Sequence, residues 1–207
     1  QRITSYGRAD SLSRISDASY ILLKNAGLSR IHSGFETGSD KILKILNKGT
    51  TQNQQIESGI KIKEAGIELS MYFMPGAGGI YLSKENAIET AKVINATNPA
   101  FVRLRTFVVK TNSPMHELVL NGEFKECTDI EKLKEIKLLI ENISGCNGYI
   151  ASDHIINLLD RVNGHLDKDI PKILNYINEF LSLPRYNQRQ YQMARRMGFN
   201  GDFKELS

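Results

Sequence analysis

Asn25-Ala26-Gly27-Leu28-Ser29-Arg30-Ile31-His32-Ser33-Gly34-Phe35-Glu36 and Glu64-Ala65-Gly66-Ile67-Glu68-Leu69-Ser70-Met71-Tyr72-Phe73-Met74 follow one pattern. Each closes a helix with Ala-Gly, runs on as a strand, and leaves through glycine. The two Ala-Gly pairs stand 39 residues apart. Glycine closes a helix by taking the left-handed conformation. A strand, a helical segment and a second strand in this order make a parallel pair with a right-handed crossover.

The pattern extends in both directions. Upstream, Arg2-Ile3-Thr4-Ser5-Tyr6 reads as a short strand, left through Gly7-Arg8-Ala9-Asp10. Ser11 or Ser13 then caps a helix carrying Leu12, Ile15, Ala18, Ile21 and Leu22 on one face. Between the two copies, Asp40 opens a helix with Ile42, Leu43 and Leu46. Asn47-Lys48-Gly49 breaks it, and Thr50 or Thr51 starts a longer one through Ile56, Ile60 and Ile62. Downstream, Ser83 or Asn86 leads into a helix with Ala87, Ile88, Ala91, Val93 and Ile94, and Phe101–Val109 reads as the strongest strand.

Four parallel strands thus fall in the first ~110 residues, where a closed eight-stranded barrel takes ~250. The expected fold is α/β: a partial (β/α) TIM-like barrel over residues 1–110. A helical C-terminal extension is expected over 111–183, with helices near 129–143 and 170–182, and a basic polar tail over 184–207.

Composition bounds the function. Of 207 residues, 41% are hydrophobic and 24% charged, which suits a globular core. No apolar run approaches the ~20 residues that span a bilayer. Cys127 and Cys146 are too few for a disulfide scaffold and suit a reducing cytoplasm. Gln1-Arg2-Ile3-Thr4 does not read as a signal peptide, and the absence of an initiator Met suggests a fragment. The net charge is +4, of which residues 184–207 carry +3. The body is therefore nearly neutral, without the basic footprint of a nucleic-acid binder. The tail sets Arg185, Arg189, Arg195 and Arg196 among Tyr186 and Tyr191, which reads either as a nucleic-acid contact or as a solvated tail.

Ligands of parallel β/α folds sit at the carboxyl ends of strands. The exits are Tyr6-Gly7-Arg8, Gly34 to Asp40, Met74-Pro75-Gly76-Ala77-Gly78-Gly79, and Arg105-Thr106. Alternation sets His32, Gly34 and Glu36 on one side of their strand. Glu36 reads as a ligand-binding carboxylate, or as a helix cap or ion-pair partner. Arg103 and Arg105 share a face and need counter-charges, from a ligand carboxylate or from Glu36 or Glu68. The Pro75–Gly79 loop is a tight turn or a phosphate cradle. No His or Cys pair has metal-site spacing.

Gly34-Phe35-Glu36-Thr37-Gly38-Ser39-Asp40, continuing through Ile42-Leu43 to Asn47-Lys48-Gly49, resembles the fourth-strand segment of radical S-adenosylmethionine proteins, often called Fe–S oxidoreductases. It closely matches the branch related to oxygen-independent coproporphyrinogen oxidases, tRNA methylthiotransferases and the Elongator catalytic subunit. Tyr6 to Leu12, Asn25 to Arg30, Glu64 to Ile67, Met74 to Gly78 and Arg103 to Thr106 resemble the flanking pieces of strands three to six. Ser152-Asp153-His154 to Gly164-His165-Leu166 resembles the helical end of one subgroup.

The resemblance implies a six-stranded partial barrel that binds S-adenosylmethionine and, complete with a 4Fe-4S cluster, generates a 5′-deoxyadenosyl radical using a reductant such as flavodoxin or ferredoxin. It implies that Glu36 meets the cofactor's ribose or methionine end. Arg8 or Arg105 would pair with its carboxylate, and Pro75 and Gly76 would border adenine. The family's Cys-x-x-x-Cys-x-x-Cys segment has no match here, so the chain is expected to be an inactive C-terminal part, with a homodimer formed through its exposed strand edge. The alternatives are a non-catalytic β/α module for a phosphorylated ligand and an RNA-associated accessory domain.

Overall fold

Each predicted strand has one apolar face that must be covered, and helices between the strands cover it. The computed structural model describes residues 2–206; Gln1 and Ser207, the outer limits of the predicted barrel and tail, lie outside the described residues. Strands β1 (Ile3–Gly7), β2 (Leu28–Glu36), β3 (Glu68–Phe73) and β4 (Phe101–Leu104) lie side by side in sequence order, all parallel. The connections carry α1 (Ala9–Leu12) and α2 (Asp17–Asn25), then α3 (Asp40–Ile45) and α4 (Gln52–Glu64), then α5 (Gly79–Thr97). Beyond them come α6 (Pro114–Leu120), α7 (Asp129–Glu141), β5 (Tyr149–Ala151), β6 (Gly164–His165), α8 (Ile170–Ser182) and α9 (Arg185–Arg196). No helix of the described residues is long and apolar enough to cross a membrane.

The sheet does not stop at residue 110. Strand β5 adds to β4 in parallel, and β6 closes the row antiparallel to β5. Residues 111–183 are therefore not only helical. These strands have three and two residues, too short for alternation to show in sequence. The tail is not a loose polar segment either: α9 buries Tyr191 against Phe180 and Phe203.

Two helix starts differ from expectation. Ser16, not Ser11 or Ser13, caps α2 through the Ser19 amide, after a break that shifts its phase. Tyr20 rather than Ile21 and Leu22 then faces the core; those two are 53% and 69% exposed. Helix α5 begins at Gly79, so Ser83 and Asn86 lie inside it. Thr51 caps α4 as expected, in a capping box with Gln54.

The covered face of the sheet carries Ile31, Phe35, Leu69, Met71, Phe73, Val102, Leu104 and Ile150, all buried beneath helices. Each such side chain contributes about 1.5–3 kcal/mol on burial. That face holds the fold together and leaves the other face free to be polar.

Two close contacts fix the strand exits. A Cβ at Gly38 would lie 2.8 Å from the Cα of Thr90 and closer still to the Glu89 carbonyl, so the exit of β2 lies directly on α5. The Gly38 amide donates to Thr90 Oγ1 at 2.8 Å, and Gln55 Nε2 donates to the Phe35 and Thr37 carbonyls. At the exit of β3, Gly76 has φ 88° and its amide donates to Glu135 Oε1 at 2.8 Å. Asn86 donates to the same oxygen, and Ser83 donates to Oε2. Burial pushes the Glu135 carboxyl up to about 7, against the pull of the hydrogen bonds from Ser83, Gly76 and Asn86.

Two outcomes follow from these contacts. Gly38→Ala forces α5 off the loop and is expected to lower the urea midpoint by an amount equivalent to roughly 1–3 kcal/mol. Between pH about 4.5 and 7 the folded chain keeps a proton on Glu135 that the unfolded chain has released. Stability therefore falls as pH rises through that window and levels off above it. Glu135→Gln keeps one acceptor oxygen for Gly76 and Asn86, turns an amide N–H₂ toward the Ser83 hydroxyl, which can accept from it, and removes the titration. Denaturation at pH 5 and pH 8 should show the wild type losing on the order of 3 kcal/mol relative to this variant.

Candidate functional site

The uncovered face of the sheet gathers polar and aromatic side chains. Register sets Tyr6, His32, Ser70, Phe101, Tyr149 and His165 in one row across all six strands. The next row toward the strand exits is Gly34, Tyr72, Arg103 and Ala151. Tyr6 stacks on His32 at 5.0 Å between ring centroids, and His32 on Tyr72 at 6.0 Å. Arg105 lies over Tyr72 at 5.1 Å and Arg30 over Phe101 at 4.1 Å. Tyr6 is 74% exposed, so this ladder of rings is open at the β1 end.

The arginines find their counter-charge within the chain. Both Arg103 and Arg105 donate to Asp153, Arg105 to Oδ1 at 2.7 Å. The expected partners are occupied elsewhere: Glu68 pairs with Arg30 at 2.6 Å, and Glu36 with Lys48 at 3.0 Å. Burial pulls the Asp153 carboxyl up, but the Arg105 hydrogen bond and the two guanidinium charges outweigh it and hold it below the usual carboxylate range. Burial, together with the Arg103 and Arg30 charges, lowers the His32 pKa, so this imidazole is neutral at pH 7. Asp153 escaped sequence reading because it follows a strand of only three residues.

Glu36 ends β2 with φ 65°, a left-handed conformation that a non-glycine residue adopts only at a cost of about 1–3 kcal/mol. The register slips between Gly34 and Glu36, and the carboxylate turns back over Gly34, where a Cβ would sit 2.5 Å from Oε1. The Glu36 carbonyl accepts the Met74 amide at 2.7 Å, which ties this conformation to the exit of β3. Arg8 reaches the same corner: its Nη2 donates to the Lys48 carbonyl at 2.6 Å, and its Nε to Asp10.

Glu36 and Arg8 therefore meet at Lys48, while Arg105 lies one strand beyond, over Tyr72. Gly76 stands apart, its amide turned to Glu135 and its Cα packed on the Lys132 stem. The Pro75 carbonyl accepts the Phe107 amide. The other amides of the glycine loop are also occupied: Ala77 donates to Met74, Gly79 to Gly76, and Ile80 to Lys125. A phosphate finds few free donors there.

Three buried polar atoms on the open face, His32 Nδ1, Ser70 Oγ and Arg103 Nε, have no partner among the described residues. The stacked rings, open at Tyr6, suit a ligand that has an aromatic base. An iron–sulfur cluster does not fit. Among the described residues no three His, Cys, Asp or Glu come together as a metal-holding group. Cys127 and Cys146 are both buried, and burial pushes the Cys127 thiol up to about 11.

No family model matches the chain, and no curated protein sequence matches it. Its structure is similar to that of archaeal Methanocaldococcus infernus Elp3, with a TM-score of 0.61 and 20% identity over 89% of this chain. It is also similar, at a TM-score of 0.48 and 13% identity over 92% of this chain, to methylornithine synthase (PylB). The chain spans 43% of the Elp3 structure and 61% of the PylB structure. Its fold is that of part of the Elp3 structure.

Proposed function

We propose that the open face binds S-adenosylmethionine, and that this chain supplies the cofactor-cradling part of a radical S-adenosylmethionine Fe–S oxidoreductase. The observation that carries the reading is Glu36, held in a left-handed conformation at a strand exit with its carboxylate over the open face. Backbone strain of this kind clusters at ligand-binding positions. Glu36 accepts hydrogen bonds from the ribose hydroxyls or the ammonium of the cofactor. Arg8, mostly exposed, or Arg105 pairs with its carboxylate, while Tyr72 and His32 offer rings for adenine. The bound cofactor supplies a reducible sulfonium; the cluster that reduces it is held by residues outside this chain.

The two alternatives have less support. The phosphate reading of the glycine loop meets amides already used within the chain. The RNA reading of the tail meets Arg195 and Arg196 already paired with Asp160 and Asp129.

Calorimetric titration with S-adenosylmethionine tests the proposal. Glu36→Gln should weaken binding roughly 10- to 150-fold, the worth of charge-assisted hydrogen bonds at ~1.5–3 kcal/mol. Lys48→Met breaks the same ion pair without removing the carboxylate and should leave affinity within about threefold. Equal losses in the two variants, with matched drops in melting temperature, would make Glu36 a structural residue only.

The uncovered rings also bear on association. Strand β1 is an edge that pairs only with β2, and its Ile3 and Tyr6 are exposed. Edges of this kind recruit a further strand. A dimer is expected by light scattering at high concentration, and Tyr6→Lys should shift it toward monomer; a monomer throughout the range would exclude association through this edge.

A further inference from the structure

Asn-Gly occurs four times in the chain, at Asn121-Gly122, Asn147-Gly148, Asn163-Gly164 and Asn200-Gly201. This dipeptide carries its own chemistry. With no side chain beside it, the glycine nitrogen can reach the asparagine Cγ and close a five-membered ring. Closure needs two freedoms. The asparagine backbone must be able to turn, and its side-chain amide must be able to swing over the glycine nitrogen.

Three of the four pairs lack these freedoms. The Asn163 side chain is bonded at both ends, Oδ1 accepting the Ser152 amide and Nδ2 donating to the Asp160 carbonyl. Its Gly164 lies in β6, where a Cβ would meet Asp169 at 2.6 Å. Gly148 is buried directly against the Pro99 carbonyl, and its own carbonyl accepts the Leu166 amide at 2.9 Å. Gly201 is wedged between the Phe199 ring and the Glu205 carboxylate, and its carbonyl accepts the Tyr191 hydroxyl at 3.2 Å. A carboxylate so close also opposes loss of the glycine amide proton.

Asn121-Gly122 differs on each count. Both residues are exposed, as are Leu120 before them and Glu123 after them. The Asn121 side chain forms no hydrogen bond among the described residues. A Cβ at Gly122 would meet nothing within 4 Å. The restraint on this pair is the end of α6 itself. The Gly122 amide donates to the Val119 carbonyl at 3.1 Å and the Glu123 amide to that of Leu118 at 2.9 Å, with Gly122 left-handed at φ 76°. That turn is cheap to open, because α6 has seven residues and none of them is buried.

We propose that Asn121-Gly122 is a self-modification site, the one Asn-Gly pair of the four that deamidates in the folded chain. The Gly122 nitrogen gives its proton to hydroxide and attacks Asn121 Cγ. The new C–N bond closes a succinimide, and Nδ2 leaves as ammonia. Water then opens the ring at either carbonyl, leaving aspartate or isoaspartate. The new carboxylate stands at the negative end of the α6 dipole and works against that helix. Helix α6 packs through Met115, Leu118 and Val119 on Phe107 and Phe124, so the modification loosens a cover over the exits of β3 and β4. The site is remote from the proposed cofactor face, and either can fail without the other.

Peptide mapping by mass spectrometry tests this on the whole chain, held in mildly alkaline buffer both folded and in denaturing urea. In urea the four pairs should convert at rates within a few-fold of one another. In the folded chain Asn121 should convert roughly tenfold or more faster than each of the other three, and give both aspartate and isoaspartate. Gly122→Ala strains the turn, which would speed simple hydrolysis, yet crowds the attacking nitrogen; it should slow conversion at Asn121. The wild-type comparison needs no variant to fold: a folded chain in which Asn121 converts no faster than the other three, or in which none converts while all do in urea, overturns the proposal. So does a rate at Asn121 that is unchanged or raised in Gly122→Ala.

Discussion

The absence of a side chain at Gly38 lets the exit of β2 lie on the backbone of α5, and much of the molecule takes its position from that contact. Helix α5 is the longest in the chain at 19 residues. It packs on α4 on one side and α7 on the other. Through Asn86 and Ser83 it holds Glu135, and Glu135 in turn holds the turn at Gly76. A shift of α5 by a methyl group's width would thus be felt at two strand exits at once. Protein interiors are packed too densely to absorb such a shift locally.

Around that spine the sheet divides its labour by face. The covered side is apolar and carries the hydrophobic stabilisation. The open side carries arginines, stacked rings and unpartnered polar atoms that contribute little to folding. Asp153 keeps two like charges tolerable on adjacent positions of one strand face. Glu36 is poised differently, because its backbone is strained while its carboxylate meets Lys48. A residue serving only stability would more commonly relax into the extended conformation.

Much of this was legible in the sequence. The paired Ala-Gly signals, Thr51 with Gln54, and the alternation through Ile31, Ser33 and Phe35 gave four strands, their order and their covered face. The illegible parts have physical reasons. Strands β5 and β6 are stabilised by their neighbours rather than by their own pattern. The start of α2 depends on a break at residues 13–16, which moves Tyr20 inward although Ile21 and Leu22 are more apolar. The counter-ion of Arg103 and Arg105 lies about 50 residues downstream, and composition cannot say which of several carboxylates will arrive. Glu36 could be singled out from its place at a strand exit, but its left-handed backbone could not.

Helix α9 has a consequence for biosynthesis. The sheet and helices α1 to α8 lie within residues 3–182, whereas a cavity of about 800 Å³ beside Thr106 and Asn157 takes its roof from residues 192–198. A domain generally folds as a unit once it has emerged from the ribosome. Tyr191 of α9 belongs to the same buried core as α7 and α8, so that core is complete only with the last stretch of translation. Only then do Arg195 and its bonds to Asp160 and Asn157 close the cavity over. A nascent or nicked chain lacking α9 would leave Phe180 and Phe203 without the Tyr191 ring and present the cavity unroofed.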